Sequence, residues 1–253
     1  MSKFKTSFIL FLFILFLSSV FAQTERKKIE LPKLKKGESI ICHNSYCFVY
    51  SEKHEQSKWI AYMLTSKMLN SKVKRNDKFK IDPLVESETA NNKDYSGSGY
   101  DRGHLAPAAD MCFSTISMQE SFYYSNISPQ KPGFNRGIWK NLESKTRNFA
   151  EHLNKIYIVT GPVLKNGLPE IGENGVDVPE YFYKAILYVS DTCVKAIAFL
   201  LPNKKADSDL LYNYAISIDN LEKKTKINFF YQLPYLIEKR AEKNCDVDFW
   251  KQL

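Results

Sequence analysis

Apolar and polar positions divide this chain into segments with different rhythms. Phe8 to Leu17 is an unbroken apolar run. Ile40 to Tyr50 reads as a β-hairpin centred on Asn44-Ser45, a two-residue loop. That register sets His43 opposite Tyr46 and Cys42 opposite Cys47. The second pair is of the closer, non-hydrogen-bonded kind, which a disulfide can bridge. From Gln56 to Leu69 the large apolar residues Trp59, Ile60, Met63, Leu64 and Met68 recur at three- and four-residue steps, which predicts a helix. Asp82-Pro83 stops any regular element, and Asn91 to Gly99 is a polar loop rich in Gly and Ser. Ile138, Trp139, Leu142, Phe149, Ala150 and Leu153 form a helical stripe that should face a core. Lys155 to Val159 predicts a short strand. Tyr181–Val189 and Val194–Leu201 predict an antiparallel hairpin turning near Ser190-Asp191. Ser217 caps a helix expected to run to about Thr225, and a final helix is expected over Leu236–Lys243. Hairpins and helices are interspersed without regular βαβ units, so the predicted class is α+β.

The first apolar run follows Lys3 and Lys5 and ends at Val20-Phe21-Ala22, the pattern of a cleaved secretory signal over residues 1–22. Its apolar core is shorter than the roughly 20 residues that span a bilayer. A secreted or periplasmic chain without stable membrane association is therefore expected. Residues 23–39, rich in Lys, read as a flexible basic lead-in, and residues 40–253 as one domain. The formal charge of +8 becomes +6 once Lys3 and Lys5 leave with the signal. A basic surface suits a polyanionic partner, although charge alone also suits a membrane surface. Five cysteines are an odd set, and an exported chain permits disulfides. After Cys42–Cys47, Cys193–Cys245 is the remaining expected pair, made by elimination, with Cys112 left over. No Cys or His stands at zinc-ligand spacing.

Candidate chemistry concentrates between Tyr100 and Glu143. Asp101-Arg102-Gly103-His104 places a base beside a bidentate phosphate binder. Neutral imidazole can take a proton near neutrality, and a guanidinium can neutralise phosphate oxygens. Gly103 is read as allowing a sharp turn. Asn126 precedes Pro129-Gln130, and Asn135 follows Pro132-Gly133 at an expected helix start. Asn135 can be read as a helix cap or as a hard oxygen ligand for Mg²⁺. A helix start also favours a phosphate. On a regular helix Glu143 would stand roughly 12 Å along the axis and about 80° around it from Asn135. That favours holding a water of the metal's shell over direct ligation. His54 and His152 are read as surface residues and His43 as structural.

These motifs resemble the sugar-non-specific DNA/RNA endonucleases of the ββα-metal class. The resemblance rests on Asp101-Arg102-Gly103-His104, Pro107, Asn126 with Pro129-Gln130, Asn135, Gly137, Trp139 and Leu142-Glu143, at matching spacing. Weaker similarity extends from Ile40 to about Phe230. It includes His43, Tyr50, Trp59 to Tyr62, Arg75 with Phe79, Asp82-Pro83 and Val159 to Pro162.

The resemblance implies a central antiparallel sheet flanked by helices, with a ββα-metal finger at the active site. It implies His104 as general base and Asn135 as the direct protein ligand of one Mg²⁺, with Mn²⁺ as a substitute. It implies Glu143 as the water holder, and Arg102, Asn126 and Arg75 as phosphate or transition-state contacts. DNA and RNA would be substrates and 5′-phosphate ends the products; a homodimer is compatible with the family. Lys72, Lys74, Arg75, Lys78 and Lys80 before the site, and Lys131, Arg136, Lys140, Lys145 and Arg147 after it, fit sequence-independent phosphate contacts. A rival class, a non-catalytic nucleic-acid binder, needs the basic face but not the base and ligand. A phosphodiesterase or phosphatase for small substrates is a third.

Overall fold

The computed structural model describes residues 28–70 and 73–253; the signal predicted over 1–22 and Lys72 lie outside the described residues. A seven-stranded antiparallel sheet runs in the order β1 (Ile41–Cys42), β2 (Cys47–Ser51), β3 (Gln56–Thr65), β6 (Lys155–Pro162), β9 (Tyr181–Val189), β10 (Val194–Pro202) and β11 (Ala215–Ile216). Strand alternation gives this sheet two apolar faces. Phe48, Ile60, Tyr62, Ile158, Phe182 and Ile186 supply one core. Val49, Trp59, Ala61, Val159, Ala185 and Leu187 supply the other.

The first core is covered by the helix α4 (Lys140–Leu153), through Leu142, Phe149 and Ala150. The second is covered by α5 (Ile218–Thr225) and α6 (Tyr235–Lys243), through Ile218, Leu221 and Ala241. The short helices are α1 (Ser66–Leu69), α2 (Asn92–Tyr95), α3 (Thr115–Glu120) and α7 (Val247–Lys251); Trp250 of α7 and Met68 and Leu69 of α1 pack into the first core. Two small ribbons, β4 (Asp101–His104) with β5 (Ile127–Gln130) and β7 (Glu170–Ile171) with β8 (Val176–Asp177), complete the α+β fold.

The hairpin register is as expected: Cys42 pairs with Cys47 and the two form a disulfide. The helix predicted over Gln56–Leu69 is instead the central strand β3 followed by one short helical turn. Its apolar residues mimic helical spacing because β3 is buried on both faces, with Ile60, Tyr62 and Leu64 facing one core and Trp59 and Ala61 the other. The lead-in is also corrected. From Lys28 onward it is docked: Ile29 is fully buried and the Lys33 amide donates to Asn228 at 2.9 Å. Cys193 and Cys245 remain free thiols, so the pairing made by elimination is not formed. Among the described residues no helix is long and apolar enough to cross a membrane.

Candidate active site

The site is assembled on the β4–β5 ribbon and the helix that follows it. β4 carries the tetrad, with Gly103 paired to Ser128 and His104 to Ile127. Gly103 does not turn the chain. A Cβ there would lie 2.2 Å from the side chain of Gln130, so the residue is small because Gln130 crosses it. After β5 the chain enters a widened, π-type segment, Phe134–Trp139, broken at Gly137 (φ −105°, ψ −114°), before α4 begins. Asn135 and Glu143 are therefore on either side of a kink, and the straight-helix separation does not apply. Such bulges let a helix re-aim a side chain.

Asn135 caps nothing. Its Nδ2 donates to Asp101 Oδ2 at 2.9 Å. Arg136 grips the same carboxylate with two bonds, Nε to Oδ2 at 2.8 Å and Nη2 to Oδ1 at 2.6 Å. These contacts, Arg136 foremost, hold the Asp101 carboxyl below its ordinary range against the opposing cost of burial. A carboxylate only accepts, so it fixes which end of the Asn135 amide faces it. The Oδ1 end is turned away, and no hydrogen bond among the described residues uses it. The structure thus leaves one neutral, hard oxygen uncommitted on Asn135. That fits a divalent-ion ligand whose remaining positions are filled by water and phosphate.

His104 is 9% exposed and packs edge-on against Phe122, with ring centroids 4.8 Å apart, and beside Phe79 at 5.6 Å. Its Nε2 has no hydrogen-bond partner. Burial first, and the Arg75 charge second, push the imidazole down to about 3. The ring is therefore neutral, the form that can take a proton.

Alternation along β4 places Arg102 with His104, and both meet Phe79, the guanidinium lying 5.4 Å from that ring's centroid. Arg102 Nη2 also donates to Asn92 Oδ1. Arg75 stacks over Phe122 at 5.1 Å and pairs with Asp77. Its charge acts on both His104 and Glu143. Arg75, Arg102 and His104 are thus drawn into one neighbourhood through Phe79 and Phe122, and the Arg75 charge also acts on Glu143.

Asn126 is in a different position from the one its motif suggested. It is fully buried, and its side chain is spent on backbone. Oδ1 accepts from the Ala106 amide at 2.8 Å, and Nδ2 donates to the Ala106 and Ser121 carbonyls at 2.9 and 2.8 Å. The residue pins the chain just beyond His104 rather than reaching the surface.

Glu143 lies over a charge network that the sequence did not reveal. Asp110, almost fully buried, accepts from Tyr62 Oη at 2.8 Å and from Arg147 Nη1 at 3.0 Å. Lys184, on the site face of β9 with Phe182 and Ile186, is fully buried. Its ammonium has no hydrogen-bond partner and lies 5.1 Å from the Trp139 ring centroid. Burial raises the Glu143 carboxyl and Asp110 pushes the same way, while Lys184, Arg147 and Arg75 pull it back. Arg147, read from the sequence as a surface phosphate contact, is instead paired with buried Asp110, which its i, i+4 spacing from Glu143 could have suggested; Lys184 had no such signal.

The remaining histidines are structural or exposed. His43 bonds Asp82 at 2.7 Å and stacks on Tyr123. His54, expected at the surface, is largely buried against Asp177. His152 is exposed. A cavity of about 830 Å³ runs between the start of β10 and α6 and shares no residue with this site.

The β4–β5 ribbon, the kinked helix start and the inward-facing His and Asn together define a ββα-metal nuclease fold. The profile of the DNA/RNA non-specific endonucleases matches residues 27–236, and the chain belongs to that family. It is 34% identical over 222 residues to the mitochondrial nuclease EXOG of Danio rerio, covering 81% of this chain and 64% of that protein. It is 36% identical over 208 residues to nuclease C1 of Cunninghamella echinulata, covering 75% and 81%. Human mitochondrial endonuclease G is 31% identical over 222 residues, covering 81% and 73%. A solved structure of an EndoG/EndoGI complex aligns with TM-score 0.74 at 27% identity, covering 82% of this chain and 91% of that one. The chain spans a little under two thirds of the EXOG relatives it matches.

Proposed function

We propose that this protein is an exported endonuclease that hydrolyses phosphodiester bonds of DNA and RNA with one divalent ion, leaving 5′-phosphate ends. The carrying observation is the neutral, unpartnered His104 imidazole set beside two arginines on the same finger as Asn135, whose Oδ1 is free. His104 Nε2 takes the proton of the attacking water. A base held so low is weak until an anion lies beside it, and the bound phosphodiester supplies that anion. Arg75 and Arg102 neutralise phosphate oxygens. Glu143 orders water at the site. A divalent ion on Asn135, Mg²⁺ with Mn²⁺ as substitute, would supply Lewis acidity to the phosphate and the leaving 3′ oxygen. Asn126 serves as a positioning residue rather than a phosphate contact.

Lys74, Lys78, Lys80, Lys131 and Lys140 are exposed around the site and suit phosphate contacts without base reading. The Cys42–Cys47 disulfide supports an oxidising, extracytoplasmic compartment. A plasmid-nicking assay on the purified chain, with Mg²⁺ and with EDTA, tests the reading. The parent nicks only with metal, and Asn135→Ala loses metal-dependent cleavage while still binding DNA. If the parent binds DNA but never cuts it, the chain is a binder and not an enzyme.

A further inference from the structure

On the opposite side of the sheet, α5 and α6 bring three carboxylates together. Asp219 and Glu222 stand at i, i+3 on one face of α5, and Glu242 comes from the last turn of α6. Each offers an oxygen, and these oxygens all lie within 4.8 Å of one another. Among the described residues, no other group of three or more His, Cys, Asp and Glu is so arranged.

An independent observation marks this cluster. Glu242 is 7% exposed and its Oε1 is buried with no hydrogen-bond partner. A buried carboxylate oxygen without a donor is costly. The charges acting on it are Glu222, Glu238 and Asp219, all negative. The neighbouring lysines do not relieve it: Lys223 bonds Asn220 at 3.2 Å, and Lys239 bonds Tyr235 at 3.1 Å. The position in the last turn of α6 adds the negative end of the helix dipole. Glu222 is fixed by the Phe229 amide, which donates to its Oε1 at 2.8 Å.

We propose that Asp219, Glu222 and Glu242 form a calcium site that joins α5 to α6. The donors are all carboxylate oxygens, which selects a hard cation over zinc. Three carboxylates drawn from two helices suit the six to eight flexible oxygen positions of Ca²⁺ better than the strict octahedron of Mg²⁺, which sheds water reluctantly. The ion cross-links two helices that cover the second core, so its effect is on stability rather than on the chemistry at His104.

The test uses the full chain, stripped with EDTA and carrying Asn135→Ala so that the finger does not contribute. Calorimetric titration with CaCl₂ should show one site with a Kd on the order of 10⁻⁴–10⁻³ M, as in extracellular calcium modules. Adding Glu242→Gln should weaken it at least ~10-fold. Ca²⁺ should raise the Tm of the chain with Glu242 intact and leave that of Glu242→Gln unchanged. Absence of Ca²⁺ binding, equal affinity after Glu242→Gln, or equal stabilisation by Mg²⁺ overturns the assignment. So does a Glu242→Gln chain that is more stable than a Ca²⁺-indifferent parent, since the carboxylates then share a proton instead. If Glu242→Gln does not fold, Asp219→Asn, at a partly exposed position, is judged by the same criteria.

Discussion

Replacing Asp101 by Asn removes one charge without changing shape, and the structure makes the consequence specific. The Asp101 carboxylate now accepts one bond from Asn135 Nδ2 and two from Arg136. Because it can only accept, it holds the Asn135 amide with Oδ1 outward. An amide at position 101 can donate as well as accept, so both orientations of Asn135 become tolerable. In one of them Nδ2, which cannot ligate, occupies the place of the oxygen proposed to face the metal. The bond lost is charge-assisted, about twice as strong as a neutral one. Groups that orient a ligand in this way typically change metal affinity or activity by about 10- to 100-fold.

Asp101→Asn should therefore raise the Mg²⁺ concentration needed for half-maximal nicking by ~10-fold or more. Saturating metal should recover a large part of the rate. Arg136→Ala, which leaves the Asn135 bond in place, should shift the requirement far less. The assay is plasmid nicking over a Mg²⁺ series for all three proteins. An unchanged Mg²⁺ requirement in Asp101→Asn would refute the reasoning, because the amide would then be oriented by something else.

Four other outcomes follow from the same geometry. His104→Ala should lower turnover by at least ~10²-fold with DNA binding retained. In its folded state the ring stays neutral down to about pH 3, against 6.5 when free. The unfolded chain therefore takes up a proton that the folded chain does not, and stability falls as pH drops through that window by about 1.4 kcal/mol per unit. His104→Gln should remove that slope in urea titrations between pH 6.5 and 4. Lys184→Met should move the acid limb of the pH–rate profile upward by about one unit or more, because Glu143 loses its largest positive neighbour; an unmoved limb would separate Lys184 from Glu143. Asn126→Ala should cost at least ~2 kcal/mol in chemical denaturation, since it strands a buried amide and two carbonyls. A stable variant with lost activity would return Asn126 to the phosphate-binding group.

Local devices were the legible part of this fold. Cys42 and Cys47 could be paired because a two-residue loop fixes register, and β9 and β10 because a polar turn separates two apolar runs. The helix from Ser217 could be placed from its cap, whose hydroxyl accepts from the Asn220 amide at 3.3 Å. β3 was illegible for a reason that lies in the tertiary structure. A strand covered on both faces loses its alternation, and what remains can match a helical template by chance. Ile29 was misread because its burial depends on a distant core around Phe229 and Phe230, not on its own polar surroundings. The structure brings Arg102, His104 and Asn135 onto one ribbon and the helix start that follows it, yet Asn126, buried on backbone, shows that a motif records position and not contact.

The network beneath Glu143 carries this distinction further. Tyr62 comes from β3, Asp110 from the loop after β4, Arg147 from α4 and Lys184 from β9. No sequence spacing links them, apart from the four-residue step from Glu143 to Arg147. Packed together, two acids face two bases on the buried side of the finger. A carboxyl placed there alone would be driven neutral by burial, and a neutral Glu143 is a poorer acceptor for the water it is proposed to hold. Lys184 has no hydrogen bond to make this cost good for itself, so its burial is sustained by charge and by the Trp139 face. Burial raises the Glu143 carboxyl, and Lys184, on the strand behind it, is the largest of the charges that oppose that rise. A carboxyl in the contiguous motif is thus charged against burial partly by a buried lysine about forty residues further along the chain.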